Sequence, residues 1–77
     1  MTNVEGEIAD LVARQLGRHQ VGLDDRLIED LGAESVDLVT IVAVLEESYL
    51  ITIAEERLPG LRTVGDLVAE LTRLRGG

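Results

Sequence analysis

Cysteine, lysine, phenylalanine and tryptophan are all missing from these 77 residues. Without cysteine there is no disulfide scaffold, and a cysteine-based zinc site is excluded as well. Tyr49 is the sole aromatic and Pro59 the sole proline, so any core must be built from aliphatic side chains. No apolar run approaches the roughly 20 residues needed to cross a bilayer. No basic leader followed by an apolar segment is visible either. A cytoplasmic monomer with no membrane insertion is therefore expected. With lysine absent, every base is arginine, and biased genomic composition is the leading explanation.

What is present is aliphatic and acidic. Apolar residues make up 45% of the chain. A domain of this size buries only about 60% of the surface it exposes when unfolded. A compact core of Leu, Ile and Val fits inside it, whereas a deep pocket lined by catalytic groups does not fit easily beside that core. The net charge is −8, and its placement is uneven. From Asp24 to Glu56 ten carboxylates stand against Arg26 alone, while the remainder holds five carboxylates and six arginines. Such a field repels nucleic acid and anionic membrane and steers basic protein surfaces toward the middle of the chain. Solubility alone would explain the sign but not the concentration in one segment.

The periodicity predicts an all-α fold, a single domain over 1–77 with helices at about 3–16, 35–49, 55–59 and 64–75. Thr2-Asn3-Val4-Glu5 fits a capping box. Val4, Ile8, Leu11, Val12 and Leu16 then recur at helical spacing, with Gly17 as the stop. Residues 17–34 form a long loop whose Val21, Leu23, Leu27, Ile28 and Leu31 are too apolar to float, so it is expected to pack along the bundle. Pro59-Gly60 cuts the third helix short. Thr63 is placed to cap the fourth, whose stripe is Val64, Leu67, Val68, Leu71 and Leu74. Gly76-Gly77 reads as a frayed tail. The result is a small four-helix bundle, three main helices plus one short one, each burying its stripe against the others.

The central helix has more apolar surface than one core face needs. With Ser35 at 0° and about 100° per residue, Leu38, Ile41, Val42, Leu45 and Tyr49 fall between roughly 240° and 340°, the core arc. Val39, Ala43 and Val36 lie at roughly 40°, 80° and 100°, outside it, with Glu46, Glu47 and Thr40 in or beside the same sector. Either the long loop folds over this second strip and buries it, or the strip stays open for a partner and the carboxylates orient that partner.

Ser35, in Asp30-Leu-Gly-Ala-Glu-Ser-Val-Asp-Leu38, stands at the start of that helix. Serine caps helices well, so capping alone is one reading of it. Catalysis is a poor second: a nucleophile needs a base and a group to orient it. The only histidine is His19, in the loop, and Gly32-Ala-Glu-Ser-Val36 lacks the second glycine of a G-x-S-x-G elbow. No histidine cluster or calcium-loop spacing accompanies the carboxylates, so no dedicated metal site is expected. A serine that serves as an attachment point needs only exposure, a rigid base and room for negative charge. A helix start supplies these, since its first amides are unpaired and its dipole favours a phosphate. Gly32 and Ala33 are small and leave space for another protein to reach the hydroxyl.

The stretch Leu27 to Glu56, "LIEDLGAESVDLVTIVAVLEESYLITIAEE", resembles acyl carrier proteins of the fatty-acid and polyketide type. The pattern there is D-L-G-[AG]-[DE]-S-[LIV]-[DE] followed by an apolar helix ending in L-E-[ED]. "LRTVGDLVAEL" likewise resembles the T-V-G-D start of the family's last helix. The resemblance implies a non-catalytic carrier. It implies that Ser35 receives 4′-phosphopantetheine from coenzyme A through a phosphopantetheinyl transferase, and that acyl groups ride on the arm as thioesters. It implies partner-contact roles for Val36, Val39, Ala43, Glu46 and Glu47, with Glu34 and Asp37 flanking the modified serine. Leu45 and Ile53 match positions that can shelter an acyl chain, and plain core packing stays equally open for both. Implied partners are a ketosynthase, an acyltransferase or acyl-loading ligase, and other pathway enzymes with basic docking surfaces.

The chain departs from the family pattern in places. Glu34-Ser35-Val36 replaces the commoner Asp-Ser-Leu, Thr40 stands where an acid is frequent, and the third helix carries Arg57 and Pro59-Gly60. These changes tilt the expectation toward polyketide or other secondary metabolism over housekeeping fatty-acid synthesis. The absence of lysine and cysteine would also spare a thioester from attack by side-chain amines and thiols. Two alternatives remain: a peptidyl or aryl carrier, and an unmodified acidic helical adaptor that binds a basic partner.

Overall fold

The computed structural model describes residues 3–76, which form helix α1 (Val4–Leu16), helix α2 (Ser35–Tyr49), a short 3-10 helix (Glu55–Gly60) and helix α3 (Val64–Leu74). Each boundary has a local cause. Asn3 is the N-cap of α1, its side chain accepting from the Gly6 amide at 3.1 Å, one residue later than the expected capping box of Thr2 and Glu5; Thr2 itself lies outside the described residues. Gly17 ends α1 at φ 68°, in the left-handed region that glycine enters without cost, and Arg18 N donates to Ala13 O at 2.8 Å. Thr63 and Asp66 cap α3 reciprocally: Asp66 N donates to Thr63 Oγ1 and Thr63 N to Asp66 Oδ2, each at 3.0 Å.

The core joins Ile8 and Val12 of α1, Ile41 and Leu45 of α2, and Val64, Leu67 and Leu71 of α3, all buried. α1 packs against both α2 and α3. The loop 17–34 closes the bundle with Val21, Leu27, Leu31 and Ala33, which are buried. It is stitched to the start of α3, with Leu27 N donating to Arg62 O at 2.8 Å, Gly65 N to Leu23 O at 2.8 Å and Val64 N to Asp25 O at 3.2 Å. Gly65 allows that approach, because a Cβ there would sit 3.1 Å from the Leu23 carbonyl oxygen. Two loop residues depart from expectation. Leu23 is only partly covered and Ile28 is 55% exposed, because the turn from Arg26 to Gly32 points Leu27 and Leu31 inward and leaves Ile28 between them facing out. Ala33 is buried as well, so its small side chain serves packing and does not clear space for a partner.

Tyr49 ties the three long helices together. Its hydroxyl donates to Glu7 of α1, and Arg75, just past α3, lies 5.5 Å from its ring centroid. Partial burial, then the Glu7 carboxylate, push the phenol up to about 12. As the sole aromatic, it can be titrated by its own ultraviolet absorbance. The midpoint is expected near 12 in the folded chain and near 10 in Glu7→Ala unfolded by urea. A raised phenol stabilises the fold below pH 10, and that contribution fades as pH climbs through the folded value.

Candidate functional site

Ser35 is the first residue of α2, and it is exposed. Capping is done by its neighbours. Glu34 occupies the N-cap position in extended conformation (φ −97°, ψ 167°), and its amide donates to Asp37 Oδ2 at 2.9 Å. The other Asp37 oxygen accepts from Gln15 Nε2 of α1 at 3.4 Å. Asp37 therefore anchors the start of α2 from within and from α1, and the Ser35 hydroxyl is relieved of the task. Gly32, at φ 72°, makes the turn that lifts the chain into this N-terminus.

The second strip on α2 is open. Val36 and Val39 are 65% and 64% exposed, and Ala43 and Glu47 are exposed too. The loop packs elsewhere, and α2 accordingly carries apolar residues nearly all round. Thr40 is half-buried and donates its hydroxyl back to Val36 O at 3.0 Å. Glu46 is not a free surface acid. Its Oε2 accepts from Ile53 N at 2.8 Å and its carbonyl receives the amides of Leu50 and Ile51, so it closes the C-terminus of α2. Leu50, the residue just past that end, sits at φ 56° and is 90% exposed.

Beside Ser35 a cavity of about 430 Å³ opens between α2, the 3-10 helix and α3. Its walls are aliphatic, including Leu38, Ile41, Val42, Ile53, Leu58, Leu61 and Leu67, with Ser35, Glu46 and Glu55 as the polar members. Val39 and Ala43 sit both on the exposed strip and at the cavity edge. Ile53 lines the cavity as the sequence suggested. Leu45 does not. It is 1% exposed and packs in the core toward α1. The sequence reading missed Leu58, Leu61 and Leu67 as lining residues, since they come together only when the 3-10 helix folds back over α2. His19 is exposed in the loop and does not line the cavity.

A second cluster was also missed. Glu70 of α3 is 4% exposed and is held from two sides. Arg57 of the 3-10 helix reaches it with Nη2 at 2.9 Å and Nε at 3.2 Å, and Arg73 reaches it with Nη2 at 2.6 Å. The Arg73 and then the Arg57 hydrogen bonds hold its carboxyl down at about 2, against the opposing effect of burial. The signal was present in the sequence: Glu70 lies between Leu67 and Leu71, on the buried stripe of α3.

The family described as "Phosphopantetheine attachment site" matches residues 6–71. The chain belongs to the acyl carrier protein family. An acyl carrier protein of Akkermansia muciniphila is 34% identical over 76 residues, covering 96% of this chain and 95% of that one. Another, from Exiguobacterium sibiricum, is 35% identical over 65 residues, 82% of each. Among solved structures, BlmI, a type-II acyl carrier protein of Streptomyces verticillus involved in bleomycin biosynthesis, superposes with a TM-score of 0.80. It is 27% identical and covers 91% of this chain and 83% of that one. The carrier is thus a non-catalytic protein whose prosthetic group is 4′-phosphopantetheine, served by a phosphopantetheinyl transferase and by biosynthetic enzymes. Among its described residues no helix is long and apolar enough to cross a membrane.

Proposed function

We propose that Ser35 is the point to which the phosphopantetheine arm is joined, and that this carrier serves a polyketide or other secondary-metabolite pathway. One observation carries the first half: an exposed hydroxyl at the opening turn of α2, freed from capping because Glu34 and Asp37 do that work. The residues fit the group. The first amides of α2 and its dipole favour a phosphate there, and the adjoining cavity is apolar. When bound, the arm supplies a thiol that carries acyl groups as thioesters. The chain's own part is to hold the attachment point on a rigid helix, to offer Val36, Val39, Ala43 and Glu47 as a docking strip, and to provide Ile53 and its neighbours as an apolar shelter. Support for the pathway comes from the departures at Glu34, Val36, Thr40 and Arg57, and from the likeness to the bleomycin-pathway carrier.

Incubation with coenzyme A and a broad-range transferase tests the first half. The chain has no cysteine, so a single new thiol is the expected result, and none at all would favour the unmodified adaptor. Mass spectrometry of the protein from its native host would then read its cargo. A straight-chain fatty acyl group would count against the secondary-metabolite assignment.

Glu47→Lys reverses charge on the open strip without touching a structural bond. Its transfer rate with a basic partner enzyme is expected to fall about tenfold at low salt, with the gap closing as ionic strength rises. Helical content should be unchanged. Glu46→Lys is a poorer probe, because it would also strip the Ile53 amide of its acceptor. Equal rates for wild type and Glu47→Lys at low salt would remove Glu47 from the docking surface.

A further inference from the structure

The 3-10 helix forms one wall of the cavity beside Ser35. Glu55 and Leu58 face the cavity from it, and Leu61 follows at its end. At its two ends Arg57 N bonds to Ala54 O at 2.9 Å and Leu61 N to Leu58 O at 3.0 Å. None of its residues is fully buried, and Leu58 is 37% exposed. Its side-chain tie to α3 is Arg57, whose forked guanidinium binds the buried Glu70 at 2.9 Å and 3.2 Å. Arg57 points away from the cavity while Leu58, the next residue, points in. Releasing Arg57 therefore releases the cavity wall.

We infer that Arg57 is a positioning residue that clamps the 3-10 helix over the cavity through Glu70 and thereby sets how long an apolar acyl group stays sheltered there. This rests on the proposal that the carrier's cargo enters the cavity, which the cargo arm of the test addresses separately. Arg73 holds Glu70 as well, but from within the same helix, three residues on. That bond joins α3 only to itself, so losing it does not detach the 3-10 helix. The geometry thus separates two arginines on one carboxylate: Arg57 joins two elements and Arg73 joins one to itself.

Amide hydrogen exchange on the unmodified chain reads the clamp without any arm. Arg57→Ala is expected to speed exchange at Leu61 by roughly tenfold, the worth of a charged hydrogen bond pair. Arg57→Lys, which keeps the charge but loses the fork, should fall between. Arg73→Ala should speed exchange in the middle of α3 and leave Leu61 near wild type. The cargo arm compares octanoyl and acetyl groups loaded from their coenzyme A thioesters. Hydroxylamine should cleave the octanoyl thioester roughly tenfold faster in Arg57→Ala than in wild type, in step with the opening, with no difference for acetyl. The inference is overturned if Leu61 exchanges alike in wild type and Arg57→Ala, if Arg73→Ala affects it equally, or if the octanoyl thioester is cleaved at one rate in both proteins. Failure to gain a thiol would instead overturn the carrier reading, and the cargo half of this one with it, while the exchange result would still report the clamp.

Discussion

Ser35→Ala is expected to gain no thiol and no mass on incubation with coenzyme A and a competent transferase, while keeping wild-type helical content and a stability within about 0.5 kcal/mol of wild type. The second half of that expectation is the more demanding. Had Ser35 been the N-cap, alanine would remove a side-chain acceptor and cost about 1 kcal/mol. Here the N-cap is Glu34, and the reciprocal bond runs from its amide to Asp37 at 2.9 Å. Alanine at the first helical position also has the better intrinsic propensity. Loss of modification without loss of fold would separate attachment from structure. Modification that persists in Ser35→Ala would move the attachment elsewhere and leave the exposed hydroxyl without a function. The complementary variant, Asp37→Ala, should do the reverse: destabilise the start of α2 by about 1 kcal/mol and leave the hydroxyl in place.

Glu70→Gln is expected to lower stability at pH 7 by about 2 kcal/mol, discounted because both guanidinium groups are half exposed and screened by solvent. In a domain this small that is a large share of the total, and it corresponds to a fall in melting temperature of roughly 10 °C. The pH dependence identifies the cause. Glu70 is held near 2 in the fold against an ordinary 4.5, so its contribution is complete above about 4.5 and disappears as pH falls through 2. The stability gap between wild type and Glu70→Gln should therefore be full at neutral pH, shrink below 4.5 and close near 2. Comparing the two proteins cancels the other carboxylates, whose mutual repulsion also relaxes in acid. A gap that does not change with pH would mean that the arginines contribute by packing alone.

The two clusters differ in how far the sequence exposed them. Ser35, Val36, Val39 and Ala43 were legible because they lie within nine residues on one helix, and helical spacing alone puts them on one side. Whether that side was covered was not legible. The answer depended on where the loop 17–34 goes, and its route is fixed by backbone bonds from Leu23, Asp25 and Leu27 to residues 62–65, which no periodicity encodes. Leu45 and Ile53 show the same divide. Both are apolar and both match family positions, yet Ile53 faces the cavity and Leu45 the core, a distinction made only when separate elements pack. Glu46 passed for a surface acid because its acceptor role reaches forward seven residues across the end of α2.

The sequence by itself determined the helices and their ends, the all-aliphatic core, the acidic middle and the single serine at a helix start, because each follows from residues only a few positions apart. The tertiary structure alone decided that the valine strip is open, that a cavity lies beside the serine, and that Arg57 reaches Glu70 across thirteen residues. Those outcomes belong to the packing of separate elements, and packing is settled by which surfaces meet when the whole chain closes, which local pattern cannot fix.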